Sequence, residues 1–520
     1  MFRLDTFTLC LALHTIVSNE AARILAIFPT PSISHQIVFR PITHELAKRG
    51  HNVTVLTTDP AFPHGEAPEN LTEIDLHDLS YETWQQFLET NKGKKEDLLE
   101  QAIKLFDVLT EIFEKQMTTP EVKHILNQSE DAYDLLLIEA FVRPALSLTH
   151  KFKAPAIVIS SFGPMIDTYE AVGASTHFFL FPSVGRQKLY NLTLWDKAME
   201  LFNHLVLVYV YEEHEKMENE AIRRIFGQDT PSVTALSNNI DMVFINIHPI
   251  LEGNVPVPQS VVYIWGIHEK PQKELPKDLK RYLDSSKHGV IYMSFGTNTD
   301  PTQLPPEKMQ MFVKAFSKMP YDVLWKWNGD ELPGKSDNIK IGKWFPQSDL
   351  LRHPKVKLFI TQGGIQSTGE AITAHVPMIG VPMLGDQWYN VEKYIVHGIG
   401  KKLDWETLSV KQIRDAIEGM IEDESYRRNI EKLDVLIRDS PQTPLERAVW
   451  WSEYVLRHGE AKHYRSPAAN ISWAEYLELE LMLLILSIAF VALALVLLVL
   501  YYVYTYVSYY LLGNIKLKIH

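Results

Sequence analysis

Apolar residues fall in short runs at regular intervals along this chain, and most runs are followed by an amphipathic stretch. RILAIFP (Arg23 to Pro29) comes first, bounded by proline, and reads as a strand buried on both faces. In the segment TPSISHQIVFRPITHELAKRG that follows, Ser34 can cap a helix and Gly50 suits its C-terminal end, with Pro41 tolerated only near a helix start. VTVLTT then supplies a β-branched strand and completes a strand–helix–strand unit. DLLLIEA, APAIVISS, Asp241 to Ile247 and Ser260 to Gly266 add further strands, with helical material between them.

A polar, Lys/Pro-rich piece, HEKPQKELPKDLK, interrupts the pattern at 268–280 and reads as a linker. Beyond it the alternation restarts: GVIYMSFGT, a helix around Glu307 to Lys318, YDVLWKW, IKIGKW, KVKLFIT, a helix, PMIGVP and another helix. The expected class is α/β, with two doubly wound domains at 21–267 and 281–460 and a cleft between them. Ligands in such sheets sit beyond the carboxyl ends of the strands.

The two ends carry a different pattern. Residues 1–20 have a short charged start and an apolar run from Phe7 to Val17, too short to cross a bilayer, which suits a cleaved secretory signal. Cleavage between Ser18 and Ala22 would remove Cys10, the only cysteine, and leave the mature chain without a disulfide. Near the other end, Leu481 to Leu500 carries no charge, and a transmembrane helix is expected at 479–503. Glu475, Glu478 and Glu480 precede it, and Lys516 and Lys518 follow it. Basic residues favour the cytosolic side, so 504–520 is expected to be a short cytosolic tail and the body to lie in the lumen, with membrane lipid around the span. The terminal KLKIH resembles a dilysine retrieval signal of the endoplasmic reticulum, and sequons at Asn70, Asn127, Asn191 and Asn470 agree with a luminal body.

Composition narrows the function. The 520 residues are 46% apolar and 22% charged, a globular balance. A net charge of −13 without a long basic block argues against a nucleic-acid partner. The chain has no GxGxxG after its first strand, no GxxxxGK[ST] and no HExxH, which speaks against a dinucleotide enzyme, a P-loop NTPase and a zinc protease. No metal site and no cofactor are expected.

The candidate chemistry gathers around TQGGIQSTGE, Thr361 to Glu370. A strand ending at Thr361, a double-glycine turn and a helix starting near Ser367 present free backbone N–H groups and a helix dipole to an anion such as a diphosphate. Upstream, Trp344 can stack on a flat base and the Gln347 amide can pair with its edge. Glu370, expected on the first turn of the new helix, could accept from a ribose diol. Asp386 and Gln387 suit sugar hydroxyls. In the first half, His35 is expected in the loop after the first strand, where an imidazole can take a proton from an attacking hydroxyl. His44 and His51 read as structural.

The segment from Trp344 to Asn390, W-x2-Q followed by HPKVKLFITQGGIQSTGEAITAHVPMIGVPMLGDQWYN, resembles the signature of the UDP-glycosyltransferases, membrane-bound enzymes of animals, and the insect members in particular. PSISHQIVFRPITHELAKRGHNVTVLTT and the C-terminal anchor match as well, so the resemblance covers essentially the whole chain. It implies two Rossmann-like domains of GT-B type and a C-terminal helix, around Pro444 to His458, that returns to the N-terminal domain. The implied reaction is inverting transfer of a hexose, glucose before glucuronic acid, from a UDP-sugar to a hydroxyl of a small lipophilic acceptor, as in detoxification. The region from Tyr81 to Leu236 would line the acceptor pocket.

By the same resemblance Trp344 stacks on uracil, Gln347 and Lys326 serve the uridine side, and Gly363, Gly364 and Ser367 hold the diphosphate. Glu370 takes the ribose, Asp386 with Gln387 the sugar, and His35 the acceptor proton. The carboxylate that orients His35 falls to Glu139 in LLLIEAFVRPAL. Two positions depart from the family pattern. Gln362 stands where relatives commonly have His, and Pro144 stands where they often have Asp. These departures motivate an alternative, a relative that binds UDP-sugar or a lipophilic ligand without turnover.

Overall fold

The computed structural model describes residues 21–90, 98–177, 179–182, 184, 186, 188–297 and 299–516, so the expected signal at 1–20 and residues 517–520 of the expected tail lie outside it. The chain divides into two compact units, Met1–Pro467 and Ala468–His520.

The first unit is built on two parallel sheets. β1 (Arg23–Phe28), β2 (Asn52–Thr57), β3 (Leu71–Asp75), β4 (Leu135–Glu139), β5 (Ala156–Ser160), β6 (Ile240–Ile245) and β7 (Val261–Tyr263) lie in the order β3-β2-β1-β4-β5-β6-β7. β8 (Val290–Ser294), β9 (Asp322–Lys326), β10 (Ile339–Gly342), β11 (Val356–Thr361), β12 (Met378–Gly380) and β13 (Gly400–Lys402) lie in the order β10-β9-β8-β11-β12-β13. The central strands read as continuous apolar runs because helices cover both faces. In β1, Leu25 and Ile27 enter one core while Ile24, Ala26 and Phe28 enter the other, as strand alternation requires. β3 and β13 escape the apolar pattern because both are edge strands. LTEID is half polar, and GKK is three residues with two lysines.

In each sheet the first strand lies inside and the winding reverses beside it, at β1/β4 and at β8/β11. A crevice opens at such a reversal, because the crossover helices on its two sides depart to opposite faces.

Helices α1 (Ile33–Lys48), α2 (Lys277–Ser285), α3 (Gln347–Leu351), α4 (Ile365–Thr373), α5 (Gln387–Val396) and α6 (Pro444–His458) bear on the site. α1 is capped at Ser32 rather than Ser34, because the chain turns helical at Ile33. Pro41 lies in the middle of α1 rather than near its start. It withholds one N–H from the ladder, and the buried face of Val38, Phe39, Ile42 and Leu46 holds the helix on the sheet regardless, with Phe39 stacked on Phe28 at 4.2 Å. The last four residues of the expected linker are helical: α2 begins at Lys277, with its buried Leu279 and Leu283 docked in the core. The expected helix near Glu307 to Lys318 spans Pro306–Phe316.

α6 packs on the first sheet. Ala448, Val449 and Val455 share a core with β1 and α1, and Arg49 pairs with Glu453 at 3.1 Å. Asp241, at the start of β6, fastens the segment that follows. Its carboxylate accepts from Ala156 N (3.0 Å) and Ala461 N (2.8 Å).

The second unit is dominated by α7 (Leu479–Lys516). Its stretch Leu479–Leu511 contains an 18-residue window with a mean hydropathy of 3.3, none of it buried, and is long and apolar enough to cross a membrane.

Asp241→Ala is expected to strand two buried N–H groups and cost about 2–4 kcal/mol in denaturant unfolding. Asp241→Asn, which keeps one acceptor oxygen, is expected to lose less.

Candidate active site

At the first sheet's reversal, β1 ends at Phe28 and β4 ends at Glu139. Glu139 is 1% exposed and accepts on both oxygens, from Thr30 N (3.0 Å) and at His35 Nδ1 (2.7 Å). With both carboxylate oxygens accepting, Nδ1 is the donor, the tautomer that in the neutral ring leaves Nε2 its lone pair. His35 lies in the first turn of α1, not in the loop before it, and the helix fixes its Cα opposite the end of β4. The Glu139 side chain therefore reaches the imidazole. Phe141 and Phe162 flank the ring, each with its centroid 5.7 Å away. His44 packs on Phe62, and His51 Nδ1 accepts from Ala22 N at 3.2 Å, so both are structural.

At the second sheet's reversal, the two glycines prove unlike. Gly363 adopts φ +97°, and a Cβ there would lie 2.5 Å from Val391 Cγ2 and 3.1 Å from Gln387 O, so the packing of α5 against the turn requires glycine. Gly364 caps α4 at an ordinary φ of −62°, and a Cβ there would meet only Gln362 Nε2 at 3.8 Å. Its missing side chain leaves the N-terminus of α4 uncovered. α4 starts at Ile365 rather than near Ser367, so Glu370 falls in its second turn rather than its first.

Gln362 is 8% exposed. Thr299 Oγ1 donates to its Oε1 at 2.9 Å, and its Nε2 occupies the space beside Gly296, where a Cβ would come within 2.5 Å. Lys326 Nζ donates to Gly296 O at 2.5 Å and lies 5.3 Å from the centre of the Trp344 ring. Burial lowers the Lys326 ammonium's pKa. Trp344 itself is 68% exposed, an indole left largely in water.

Gln347, the first residue of α3, gathers the next group. It accepts from Tyr292 OH (3.1 Å) and its Nε2 donates to Ser367 Oγ (2.9 Å) and Glu370 Oε2 (2.6 Å). Burial pushes the Glu370 carboxyl up to about 7 against the pull of the Gln347 bond, with Glu269 adding to the rise.

On the last side of the cleft, Gln387 Oε1 accepts from Met383 N (2.8 Å) and Leu384 N (2.9 Å), leaving its NH2 as the outward donor. Asn390 Nδ2 donates both to Asp386 Oδ2 (2.8 Å) and to Gly363 O (2.9 Å), so the acidic residue and the glycine turn are held as one piece. Burial raises the Asp386 carboxyl, and the Asn390 bond and His35 across the cleft pull it back. A hydrogen bond crosses the cleft, from Gln366 Nε2 on α4 to Ser161 O at 2.9 Å.

The first sheet's reversal thus carries a histidine–carboxylate pair, and the second half carries an uncovered helix N-terminus, an exposed indole and an acid–amide pair whose carboxyl feels His35. The family described as "UDP-glucoronosyl and UDP-glucosyl transferase" matches residues 23–511. The ecdysteroid UDP-glucosyltransferase of Spodoptera littoralis nuclear polyhedrosis virus is 35% identical over 490 residues, 90% of this chain and 94% of the relative. UDP-glucosyltransferase 2 of Dactylopius coccus is 30% identical over 484 residues, covering 91% of both. Among solved structures, the calicheamicin glycosyltransferase CalG4 superposes with a TM-score of 0.56 at 19% identity, covering 84% of this chain and 99% of that one, a likeness of fold.

This chain belongs to the UDP-glycosyltransferase family.

Sequence reasoning about this glycosyltransferase missed Tyr292, Thr299, Asn390, Gln366, Phe141 and Phe162. Tyr292 and Thr299 lie on or just past β8, the position equivalent to the stretch from β1 to His35 in the other sheet, and the FGT after that apolar run was the available signal. The others act through distant partners that spacing does not reveal.

Glu370 supplies a pH test. Its folded-state pKa lies above the unfolded one, so the folded state binds the extra proton and stability falls as pH rises from 4.5 to about 7. Glu370→Gln is expected to match wild type in thermal unfolding at pH 4.5 and to exceed it at pH 8 by about 1–3 kcal/mol.

Proposed function

We propose that this glycosyltransferase moves glucose from UDP-glucose to a hydroxyl of a small lipophilic acceptor, inverting the anomeric centre, with its body in the lumen of the endoplasmic reticulum. The observation that carries the reading is the His35–Glu139 pair with Nε2 free to accept. The acceptor oxygen forms a bond to the anomeric carbon as the bond from that carbon to the UDP oxygen breaks, and the acceptor proton passes to His35 Nε2. Glu139 holds the ring's tautomer and stabilises the imidazolium that forms.

The leaving diphosphate meets the N–H groups of Gly364 and the first turn of α4, where the helix carries the equivalent of about half a positive charge. Ser367 adds a hydroxyl. Trp344 stacks on the uracil, its exposed face covered by the donor, and Lys326 behind it keeps that end of the cleft positive. Glu370 and Gln347, now bonded to each other, open toward the ribose and the base edge. Asp386 and the Gln387 amide take the sugar hydroxyls. The proposal uses no metal and no cofactor, since helix dipole and backbone donors meet the diphosphate charge. Gln362, a neutral donor where relatives carry His, sits by this turn. The names of the viral and insect relatives support glucose as the sugar. The apolar helix at Leu479–Leu511 supports membrane attachment, and the lysines after it support the luminal orientation of the body. No observation favours the reading without turnover, since the base and its carboxylate are in place.

In microsomes supplied with UDP-glucose and an acceptor panel, wild type is expected to form a glucoside. His35→Ala should lower kcat by about 10²–10⁴. Equal background from both would refute the assignment, and faster turnover with UDP-glucuronate would move the sugar. Gln362→His is expected to keep the fold and to tighten UDP binding by at most about 1–2 kcal/mol, read by calorimetry. Added protease is expected to spare the body in sealed microsomes and to digest it once detergent is present.

A further inference from the structure

Gln362 carries a donor and an acceptor on one side chain, and only one of them can face the N-terminus of α4. Its Oε1 accepts from Thr299 Oγ1 at 2.9 Å, and both residues are buried. Nε2 is the end left over, and no described residue accepts from it. A Cβ on Gly364 would lie 3.8 Å from this nitrogen, which therefore borders the space that the missing side chain leaves open beside the helix start.

The turn after β8 is shaped around the amide. Gly296 adopts φ +76°, and a Cβ there would lie 2.5 Å from Gln362 Nε2, so the turn has glycine where the amide stands. Gly296 N donates to Ser294 Oγ at 3.3 Å, and its carbonyl accepts from Lys326 Nζ at 2.5 Å. On the other side of Thr299, Asp300 Oδ1 accepts from Thr302 N at 2.9 Å and from Thr302 Oγ1 at 2.8 Å, capping the short helical turn Pro301–Gln303. The backbone is thus fastened on either side of Thr299, and its hydroxyl meets the amide from a fixed position.

We propose that Thr299 is a positioning residue for the donor site, whose hydroxyl holds the Gln362 amide with Nε2 toward the diphosphate of the UDP-sugar. This rests on the glycosyl-transfer reading above. The two ends of an amide are nearly alike in shape, so sterics alone do not choose between them. Turned round, the amide would set Oε1 against the phosphate oxygens, and attraction would become repulsion. By donating to Oε1, Thr299 satisfies the buried oxygen and leaves the N–H groups of Nε2 for the anion. Without that hydroxyl the buried oxygen loses its partner, and the amide would turn it toward the free N–H groups of α4, where the diphosphate belongs.

The test uses full-length enzyme in microsomes with UDP-glucose and the best acceptor of the panel above, with UDP and uridine as inhibitors. Thr299→Val, which puts a methyl group in place of the hydroxyl, is expected to raise KM for UDP-glucose and Ki for UDP about 3- to 10-fold. The acceptor KM and the Ki of uridine, which has no phosphate, should stay unchanged. Thr299→Ala, which adds no bulk, should behave like the valine variant, and Thr299→Ser should keep wild-type values. In a Gln362→Ala background, Thr299→Val is expected to add no further loss, because the amide that it positions is gone. An unchanged KM in both Thr299→Val and Thr299→Ala, an equal loss toward uridine, or a full additional loss in the Gln362→Ala background overturns the inference alone. Wild-type transfer from UDP-glucose to no acceptor overturns the glycosyl-transfer reading and the inference with it.

Discussion

A parallel sheet whose first strand lies in its interior must send its crossover helices to opposite faces on the two sides of that strand. The crevice left at the reversal is the constraint on which this protein depends. It occurs twice, at β1/β4 and at β8/β11, and His35, Glu139 and the glycine turn lie there, with Trp344 past the end of the edge strand β10 and Asp386 past the end of β12. The backbone at such a strand end can turn into a helix at once, which is why His35 and Gly364 both sit at helix starts.

The two crevices are used differently because their residues differ. In the first sheet a buried carboxylate at the end of β4 meets a side chain at the start of α1, and the product is an oriented imidazole. In the second sheet the turn carries glycine where a side chain would stand, and the product is an uncovered set of backbone donors. Neither arrangement does glycosyl transfer alone. They are joined by the Gln366–Ser161 bond and by the returning helix α6, which closes the core of the first sheet from the far end of the chain.

Polar groups in the second crevice are bonded to one another rather than left bare. Gln347 links Tyr292, Ser367 and Glu370, and Asn390 links Asp386 to Gly363. Such networks cost little to keep buried while each member has a partner, and they hold side chains in place ahead of a ligand. The raised Glu370 carboxyl shows what burial costs here when the nearest partner is a neutral amide instead of a cation.

The sequence by itself determined the α/β class, the interior strands, the membrane-length helix and most of the candidate site residues, because apolar runs, paired glycines and a long uncharged stretch are local signals. The family resemblance pointed to Glu139 and left Gln362 unexplained. Only the tertiary structure decided that Glu139 reaches His35, that Gly363 is demanded by packing while Gly364 leaves space, and that Gln362 is pinned by Thr299 beside Gly296. It also supplied the edge strands β3 and β13, whose polar sequences form strands only because a neighbour offers a free edge. The aromatic pair of Phe141 and Phe162 beside His35 belongs to the same class. Each of these depends on contacts between residues far apart in the chain, and no local pattern records which distant partner a side chain will meet.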